Sequence, residues 1–325
     1  MFDCCLVKLV VVVLFLYYAI RYILELIPVK NLYKKAIFIT GCDSGFGHEF
    51  ALYCAKRGIY VFAGCLENKV TLLAVNRPQT RNLPGTVEPL KIDVTNDESV
   101  LEAREFIRLG LWALVNNAGI LPAFGPADWS TVDDFITVLD VNTFGVIRVT
   151  LEFLPLLKQS KGRVVTTTSV LSRVCFPGIA QYQCSKFATA GFMDTLRQEV
   201  EPFGIKCSII EPEIFDTPLI AADPMEKSIE DSWNRLNLKK QEEYGEEFKN
   251  YCNYRYKSTK IEYVVKNYYH AVTALLPRNR YYCGWRAIFF YIPLSLLPTA
   301  AHDLIIRLIF GQKLFPAVCV QKKIQ

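Results

Sequence analysis

The chain has 325 residues and a formal net charge of +5, with 51% hydrophobic and 21% charged side chains. So much apolar surface excludes a disordered chain, and 17 glycines with 16 prolines are too few for a collagen-like or low-complexity one. The 37 basic side chains, set against 32 acidic ones, form no Lys/Arg block interleaved with aromatics, which excludes a nucleic-acid groove.

The first predicted element is the N-terminal segment FDCCLVKLVVVVLFLYYAIRYILELIP. Leu9 to Ile20 carries no charge, but that length of helix extends only about 18 Å against the roughly 30 Å of a bilayer core. Spanning length is reached from Phe2 to Ile27, which brings in Asp3, Lys8, Arg21 and Glu25. Lys8 and Arg21 lie near the ends, where long side chains can snorkel. Arg21 and Glu25 are four apart, a spacing at which they can pair. No small-residue cleavage site follows. Residues 1–29 therefore read as an uncleaved hydrophobic anchor, spanning the membrane or lying in its interface. Lys30, Lys34 and Lys35 after it, against Lys8 before it, place the rest of the chain in the cytosol by the positive-inside bias. The adjacent Cys4 and Cys5 are candidates for palmitate or simply inert thiols.

From Ala36 the pattern changes to short β-rich runs, each followed by a loop and then by helical periodicity. The runs are Ala36–Ile39, Tyr60–Ala63, Pro89–Ile92, Leu111–Val115, Arg163–Thr167 and Ile205–Ile210. Alternation of this kind predicts βαβ units on a parallel sheet buried on both faces. Beyond Glu211 the regularity fades. Residues 222–262 are highly charged and predict either helices over a site or a solvated helical face. The apolar stretch Ala287–Leu294 is broken by Pro293 and followed by Leu304–Phe310, which is too interrupted for a second clear span. It can line an apolar entrance or dip into a bilayer surface.

The 11 cysteines form no paired spacing and the three histidines are scattered, so neither a disulfide framework nor a zinc site is expected. The chemistry-bearing residues lie elsewhere. Thr40-Gly41-Cys42-Asp43-Ser44-Gly45-Phe46-Gly47 ends the first predicted strand. Its glycines let the backbone approach a pyrophosphate, and the helix after it directs N–H groups at that charge. No basic residue lies in this turn or at Cys65-Leu66-Glu67, where the cofactor's ribose is read. That favours NAD over NADP, whose 2′-phosphate wants cations. Tyr182 and Lys186 are four apart and share a helix face. A nearby ammonium lowers a phenol's pKa and makes it a general base for an alcohol proton as hydride leaves for nicotinamide. Ser169, just after a predicted strand, can hold the substrate oxygen, and Asn142 can carry a water relay.

Taken in order, Thr40-Gly41-x-x-x-Gly45-x-Gly47, Asp93, Asn116-Asn117-Ala118-Gly119, Asn142, Ser169 and Tyr182-x-x-x-Lys186 resemble the short-chain dehydrogenase/reductase family, over roughly Ala36 to Leu219. The resemblance implies an α/β fold with a Rossmann-type doubly wound parallel sheet, and a catalytic tetrad of Asn142, Ser169, Tyr182 and Lys186. It also implies cofactor contacts from Gly41, Ser44, Gly45, Phe46 and Gly47. Asp93 would reach the adenine side, Asn117, Ala118 and Gly119 would back the cofactor, and Tyr182 and Lys186 would stand at the nicotinamide ribose. A homodimer through the helices near Asn142 and Tyr182 is expected by the same analogy.

Asp43-Ser-Gly-Phe-Gly47, Val61-Phe-Ala-Gly-Cys-Leu66, Leu139-Asp-Val-Asn142, Gly162-Arg-Val-Val165 and Ile292-Pro-Leu-Ser-Leu-Leu-Pro298 look like the microsomal retinol/17-beta-hydroxysteroid dehydrogenase-like branch. Several of these are shared with D-β-hydroxybutyrate dehydrogenase. Three departures stand out. Glu211-Pro212-Glu213 replaces the usual Pro-Gly, setting a side chain beside the expected carboxamide site. Thr166-Thr167-Thr168 replaces the usual residues before the serine. The stretch between Cys65 and Pro89 is short. The expected organisation is an anchor (1–29), an NAD-binding core (34–220), and a helical substrate lid with an apolar C-terminal segment (221–325) in the same domain. The expected protein is an endoplasmic reticulum membrane-attached dehydrogenase of a lipophilic alcohol. The alternatives are a catalytically silent cofactor- or lipid-binding scaffold and a hydroxybutyrate-type hydroxyacid dehydrogenase.

Overall fold

Ile37, Phe38 and Ile39 are buried, as is every residue of Leu111–Asn116 and Arg163–Thr167. Strands with no solvent-facing side need cover on both faces, which crossover helices supply to a parallel sheet. The computed structural model describes residues 4–66, 83–108, 110–252, 260–310 and 316–317. Among them, one parallel sheet is formed by β1 (Ala36–Ile39), β2 (Tyr60–Cys65), β3 (Val87–Lys91), β4 (Leu111–Asn116), β5 (Arg163–Thr167), β6 (Lys206–Pro212) and β7 (Arg280–Cys283). Their order is β3-β2-β1-β4-β5-β6-β7, the doubly wound Rossmann-type arrangement. The direction of winding reverses at β1, between β2 and β4. That opens a crevice beyond the strands' carboxyl ends, where such sheets take ligands.

The helices in chain order are α1 (Cys4–Leu26), α2 (Gly45–Ala55), α3 (Asp97–Phe106), α4 (Val132–Leu139), α5 (Gly145–Ser160), α6 (Ala180–Val200), α7 (Ala222–Asn234), α8 (Leu238–Tyr244), α9 (Glu246–Cys252), α10 (Glu262–Thr273), α11 (Ile292–Ser295) and α12 (Thr299–Phe310). Strand alternation divides the core. Ile37 and Ile39 pack with Phe50 of α2 and with Val264 and Tyr268 of α10. Phe38 points the other way, to Phe153 of α5 and Met193 of α6. Each such fully buried side chain contributes about 1.5–3 kcal/mol.

Val7–Leu26 is long and apolar enough to cross a membrane, with a mean hydropathy of 2.1. Its large apolar side chains from Val7 to Ile23 all face outward. The lower end of α1 is stitched to the body. Glu25 is buried, pairs with Arg21 at 3.3 Å as the spacing predicts, and also takes Arg278 at 2.6 Å. His270 reaches the Glu25 carbonyl at 2.9 Å, and Val29 and Leu275 exchange backbone bonds of 2.7 Å with Thr273 and Ile27.

The charged stretch after Glu211 folds into α7, α8 and α9, which bury Ile229, Trp233 and Phe248 against Trp129. Lys240–Asp128 and Arg235–Asp134 pairs of 2.8 and 3.0 Å close its rim. The edge strand β7 carries no sequence signal, because Arg-Tyr-Tyr-Cys is a short polar-aromatic string without an apolar run. Glu67 and most of the short stretch between Cys65 and Pro89 lie outside the described residues, as do the side chains of Cys4 and Cys5.

Candidate active site

At the carboxyl end of β1 the buried Thr40 ties two strands together: its hydroxyl accepts from the amides of Asn117 and Ala118, both at 3.1 Å. Asn117 then clasps the glycine turn, its Nδ2 donating to the carbonyls of Thr40 and Gly41 at 3.0 Å each. Gly41 has φ +69°, and a Cβ there would lie 2.7 Å from the Ala118 Cα. A Cβ on Gly47 would lie 2.5 Å from both Asn117 Nδ2 and the Gly41 carbonyl. Only glycine allows the turn to sit this close to β4. The turn leads straight into α2, where Gly45 and Phe46 are the first residues and Ser44 makes no side-chain capping bond. Phe46 packs edge-on against Phe215, ring centres 5.8 Å apart.

Two carboxylates are tied to backbone after β1 and β3. Asp43 accepts from the Leu66 amide at the end of β2 at 3.0 Å. Asp93 folds onto its own loop after β3, accepting from the Thr95 amide at 2.9 Å and its hydroxyl at 2.7 Å.

Between α4 and α5 the helix passes through a π turn, Asp140–Phe144, which holds the fully buried Asn142. Single π turns of this kind recur at functional sites because they re-aim one side chain. The Asn142 Oδ1 accepts from the Ile120 amide at 2.8 Å, and its Nδ2 donates to the Ile120 carbonyl at 3.0 Å and to Ser185 Oγ at 3.1 Å. Ser169 follows β5 and caps a short turn, Val170–Ser172, accepting from the Leu171 amide at 3.1 Å. Its hydroxyl also hydrogen-bonds Tyr182. On α6, one turn after Tyr182, the Lys186 Nζ lies 5.4 Å from the Tyr182 ring centre and donates to the Thr167 carbonyl at 3.2 Å. A Cβ on Gly119 would lie 3.1 Å from Asn142 Oδ1 and 3.7 Å from Lys186 Nζ. Asn142, Ser169, Tyr182, Lys186 and the Asn117-Ala118-Gly119 strip thus converge at the crevice.

The electrostatics differ from the expectation of a phenol made acidic by its ammonium neighbour. Burial pushes Tyr182 up to about 12, with the Ser169 hydrogen bond pulling the other way. Burial draws Lys186 down to about 8. Desolvation disfavours the charged form of each. At neutral pH the pair is therefore a protonated phenol beside a mostly charged lysine.

Glu213 also departs from expectation. Its carboxylate lies past the end of β7, where Oε2 accepts from the Ala287 amide at 2.8 Å. A Cβ on Gly284, which has φ +114°, would lie 2.1 Å from the Glu213 Cδ. The glycine missing after Pro212 is matched by a glycine across the gap. Sequence reasoning passed over Tyr268 and Gly284, and it quoted Thr40 and Thr167 within motifs without giving either a role. The one readable trace among them is a phenol, Tyr268, on the apolar stripe of α10.

The short chain dehydrogenase family model matches residues 35–227. The chain belongs to the short-chain dehydrogenase family. It is an NAD(P)-dependent oxidoreductase acting on CH–OH groups, in the retinol/17-beta-hydroxysteroid dehydrogenase-like branch. It is 38% identical to a 3beta-hydroxysteroid dehydrogenase of Caenorhabditis elegans over 93% of this chain and 83% of that one. It is 38% identical to 17-beta-hydroxysteroid dehydrogenase type 6 of Bos taurus over 91% and 95%, and 38% identical to retinol dehydrogenase 16 of Homo sapiens over 89% and 93%. Among solved structures, a short chain dehydrogenase from Burkholderia cenocepacia in complex with NADP shares the fold of this short-chain dehydrogenase. Its TM-score is 0.64 at 23% identity, covering 84% of this chain and 98% of that one. A 3-oxoacyl-[acyl-carrier protein] reductase from Brucella melitensis with bound NAD has a TM-score of 0.60 at 20% identity, covering 76% and 88%.

Proposed function

We propose that this short-chain dehydrogenase oxidises a lipophilic alcohol, a retinol or a hydroxysteroid, with NAD and from a membrane-attached position. The observation that carries the reading is the meeting of Ser169, Tyr182 and Lys186 beside Gly119 at the carboxyl ends of the strands. A dinucleotide fits the residues present. Gly41, Gly45 and Gly47 bring backbone close, and the first-turn N–H groups of α2, Phe46 among them and uncapped by the Ser44 side chain, suit a pyrophosphate. Asp93 stands toward the adenine side, Asn117-Ala118-Gly119 forms the wall behind, and Tyr182 and Lys186 hold the nicotinamide ribose. When bound, the nicotinamide supplies the hydride acceptor.

Ser169 would hold the carbinol oxygen; with the pair one proton short at Lys186, Tyr182 Oη would take the alcohol proton as its own passes on to Lys186, and Asn142 would support the helix and the water relay. The pair is fully protonated near pH 7 and must lose one proton before it can accept another. Reduction is thus favoured at neutral pH and oxidation above it.

The choice of NAD rests on Asp43. Its carboxylate, held on the Leu66 amide, stands where a ribose is read. A 2′-phosphate brings about two negative charges and would meet repulsion there. The lipophilic substrate is supported by the relatives' activities. Beside the loop from Ser169 to Tyr182 lies an open cavity of about 630 Å³, whose wall mixes Val174, Phe176, Leu294 and Ile306 with Arg173, Asp303 and Arg307. Residues from Leu294 to Arg307 form one wall of it.

Membrane attachment is supported by the outward-facing α1 and by exposed Trp285, Phe289, Leu296, Leu304 and Leu308 near the C-terminus. We place the protein at the endoplasmic reticulum membrane with its catalytic face in the cytosol, from Lys30, Lys34 and Lys35. Exposed Phe144, Leu151 and Phe187 on the helices near Asn142 and Tyr182 suit a homodimer. The scaffold alternative rested on Glu213, whose carboxylate is engaged by Ala287. The test is a panel of retinols, hydroxysteroids and short hydroxyacids with NAD and NADP in parallel. The reading expects NADH formation with a retinol or steroid. Turnover confined to hydroxyacids, or to NADP, contradicts it.

A further inference from the structure

Helix α10 turns Val264, Val265, Tyr268, Ala271 and Val272 onto the sheet. Four of these are apolar, and the fifth brings a hydroxyl into the core, which is costly unless the group is bonded. Tyr268 is wholly buried, and its ring stacks on Phe50 of α2, centres 5.1 Å apart and planes 27° apart. Its hydroxyl lies beneath the carboxyl ends of β4 and β5 and has a partner on each. It donates to Asn117 Oδ1 at 3.0 Å and meets Thr167 Oγ1 in a short hydrogen bond.

Both partners have second tasks. Asn117 uses its other end to hold the carbonyls of Thr40 and Gly41, and Thr167 presents its carbonyl to Lys186 Nζ. A carboxamide can flip. With Oδ1 accepting from the phenol, only the orientation that turns Nδ2 onto the glycine turn satisfies every atom. The Thr167 hydroxyl, with the phenol oxygen as its acceptor, pins the residue whose carbonyl holds the ammonium.

We propose that Tyr268 is a positioning residue that couples the glycine turn to Lys186, so that cofactor binding and the proton-handling pair share one buried tie. The inference rests on the dinucleotide reading of that turn and adds to it a residue outside the motifs that define the family. Tyr268→Phe keeps the ring and its stacking but leaves Asn117 Oδ1 and Thr167 Oγ1 without their shared partner. Thr167→Val removes the same bond from the other side and keeps the carbonyl.

The test uses the full chain. NADH affinity is measured by cofactor fluorescence, the pH dependence of turnover is recorded, and thermal melting is followed for wild type, both single variants and the double variant. Tyr268→Phe is expected to weaken NADH binding by about three- to tenfold, the range one hydrogen bond commands. It is also expected to move the pH midpoint to lower pH, because a loosened carbonyl favours the charged lysine less. Thr167→Val should shift the midpoint the same way, and the double variant should lose less than the two effects combined. Wild-type affinity and an unmoved midpoint in both single variants, even with a lowered melting temperature, overturn the coupling and leave Tyr268 as packing. Absence of NADH binding in the wild type overturns the coupling and the dinucleotide reading together.

Discussion

A phenol and a primary amine one helical turn apart respond first to the medium they share. For Tyr182 and Lys186 that medium is protein, and it pushes both toward their neutral forms. The first proton to leave the pair therefore goes near the value that burial sets for Lys186, about 8. Oxidation requires a pair one proton short, so its kcat/KM should rise with pH through a midpoint near 8. Reduction requires the full pair and should fall over the same interval. The two profiles, measured on one alcohol/ketone couple, check this, and parallel slopes in both directions would contradict it. That the two side chains share a face is legible from the spacing. The direction of the phenol's shift is not, because spacing carries no information on burial. Glu213 teaches the same lesson, since a carboxylate in place of glycine reads as an intrusion until its acceptor bond from Ala287 is seen.

At the scale of elements, β1 is legible residue for residue as a continuous apolar run, and β5 as a β-branched string, Val164 to Thr167, opened by Arg163. The glycine turn is legible because its constraints are local. β7 is not, since an edge strand of four residues needs little apolar content, and the parallel pairing with β6 is decided by the helices between them. The junction after β7 depends on a contact between distant elements: Gly284 leaves the room that Glu213 fills. Gly284→Ala places a methyl group into that carboxylate and an L side chain at positive φ. The expected cost is about 2–4 kcal/mol, the sum of overpacking and left-handed strain. A lowered melting temperature checks it. Partial recovery in the double variant with Glu213→Gly assigns the overpacking share to this contact while the positive-φ strain remains, and an unchanged melting temperature for Gly284→Ala alone would contradict it.

At the scale of the whole molecule, a Rossmann-type core carries outward apolar features: the helix α1 and, near the C-terminus, the exposed Trp285, Phe289, Leu296, Leu304 and Leu308. Trp285 is 72% exposed and stacks on Phe289, whereas Trp112, Trp129 and Trp233 are at most 7% exposed. Tryptophan at a membrane surface sits at headgroup depth. In vesicles containing brominated phosphatidylcholine, the emission of the reconstituted protein should be partly quenched, and Trp285→Phe should remove the quenched part. Quenching of Trp285 by aqueous iodide but not by brominated lipid would place that face in water.

The central claim is that the Tyr182 hydroxyl moves the proton of the reacting alcohol. Its most direct test is the NADH-linked turnover of Tyr182→Phe on the best alcohol of the panel, with NADH affinity measured on the same preparation. The account predicts retained NADH binding and a fall in kcat of about 100-fold or more, the scale of a lost general base. Turnover within a few fold of the wild type would contradict it.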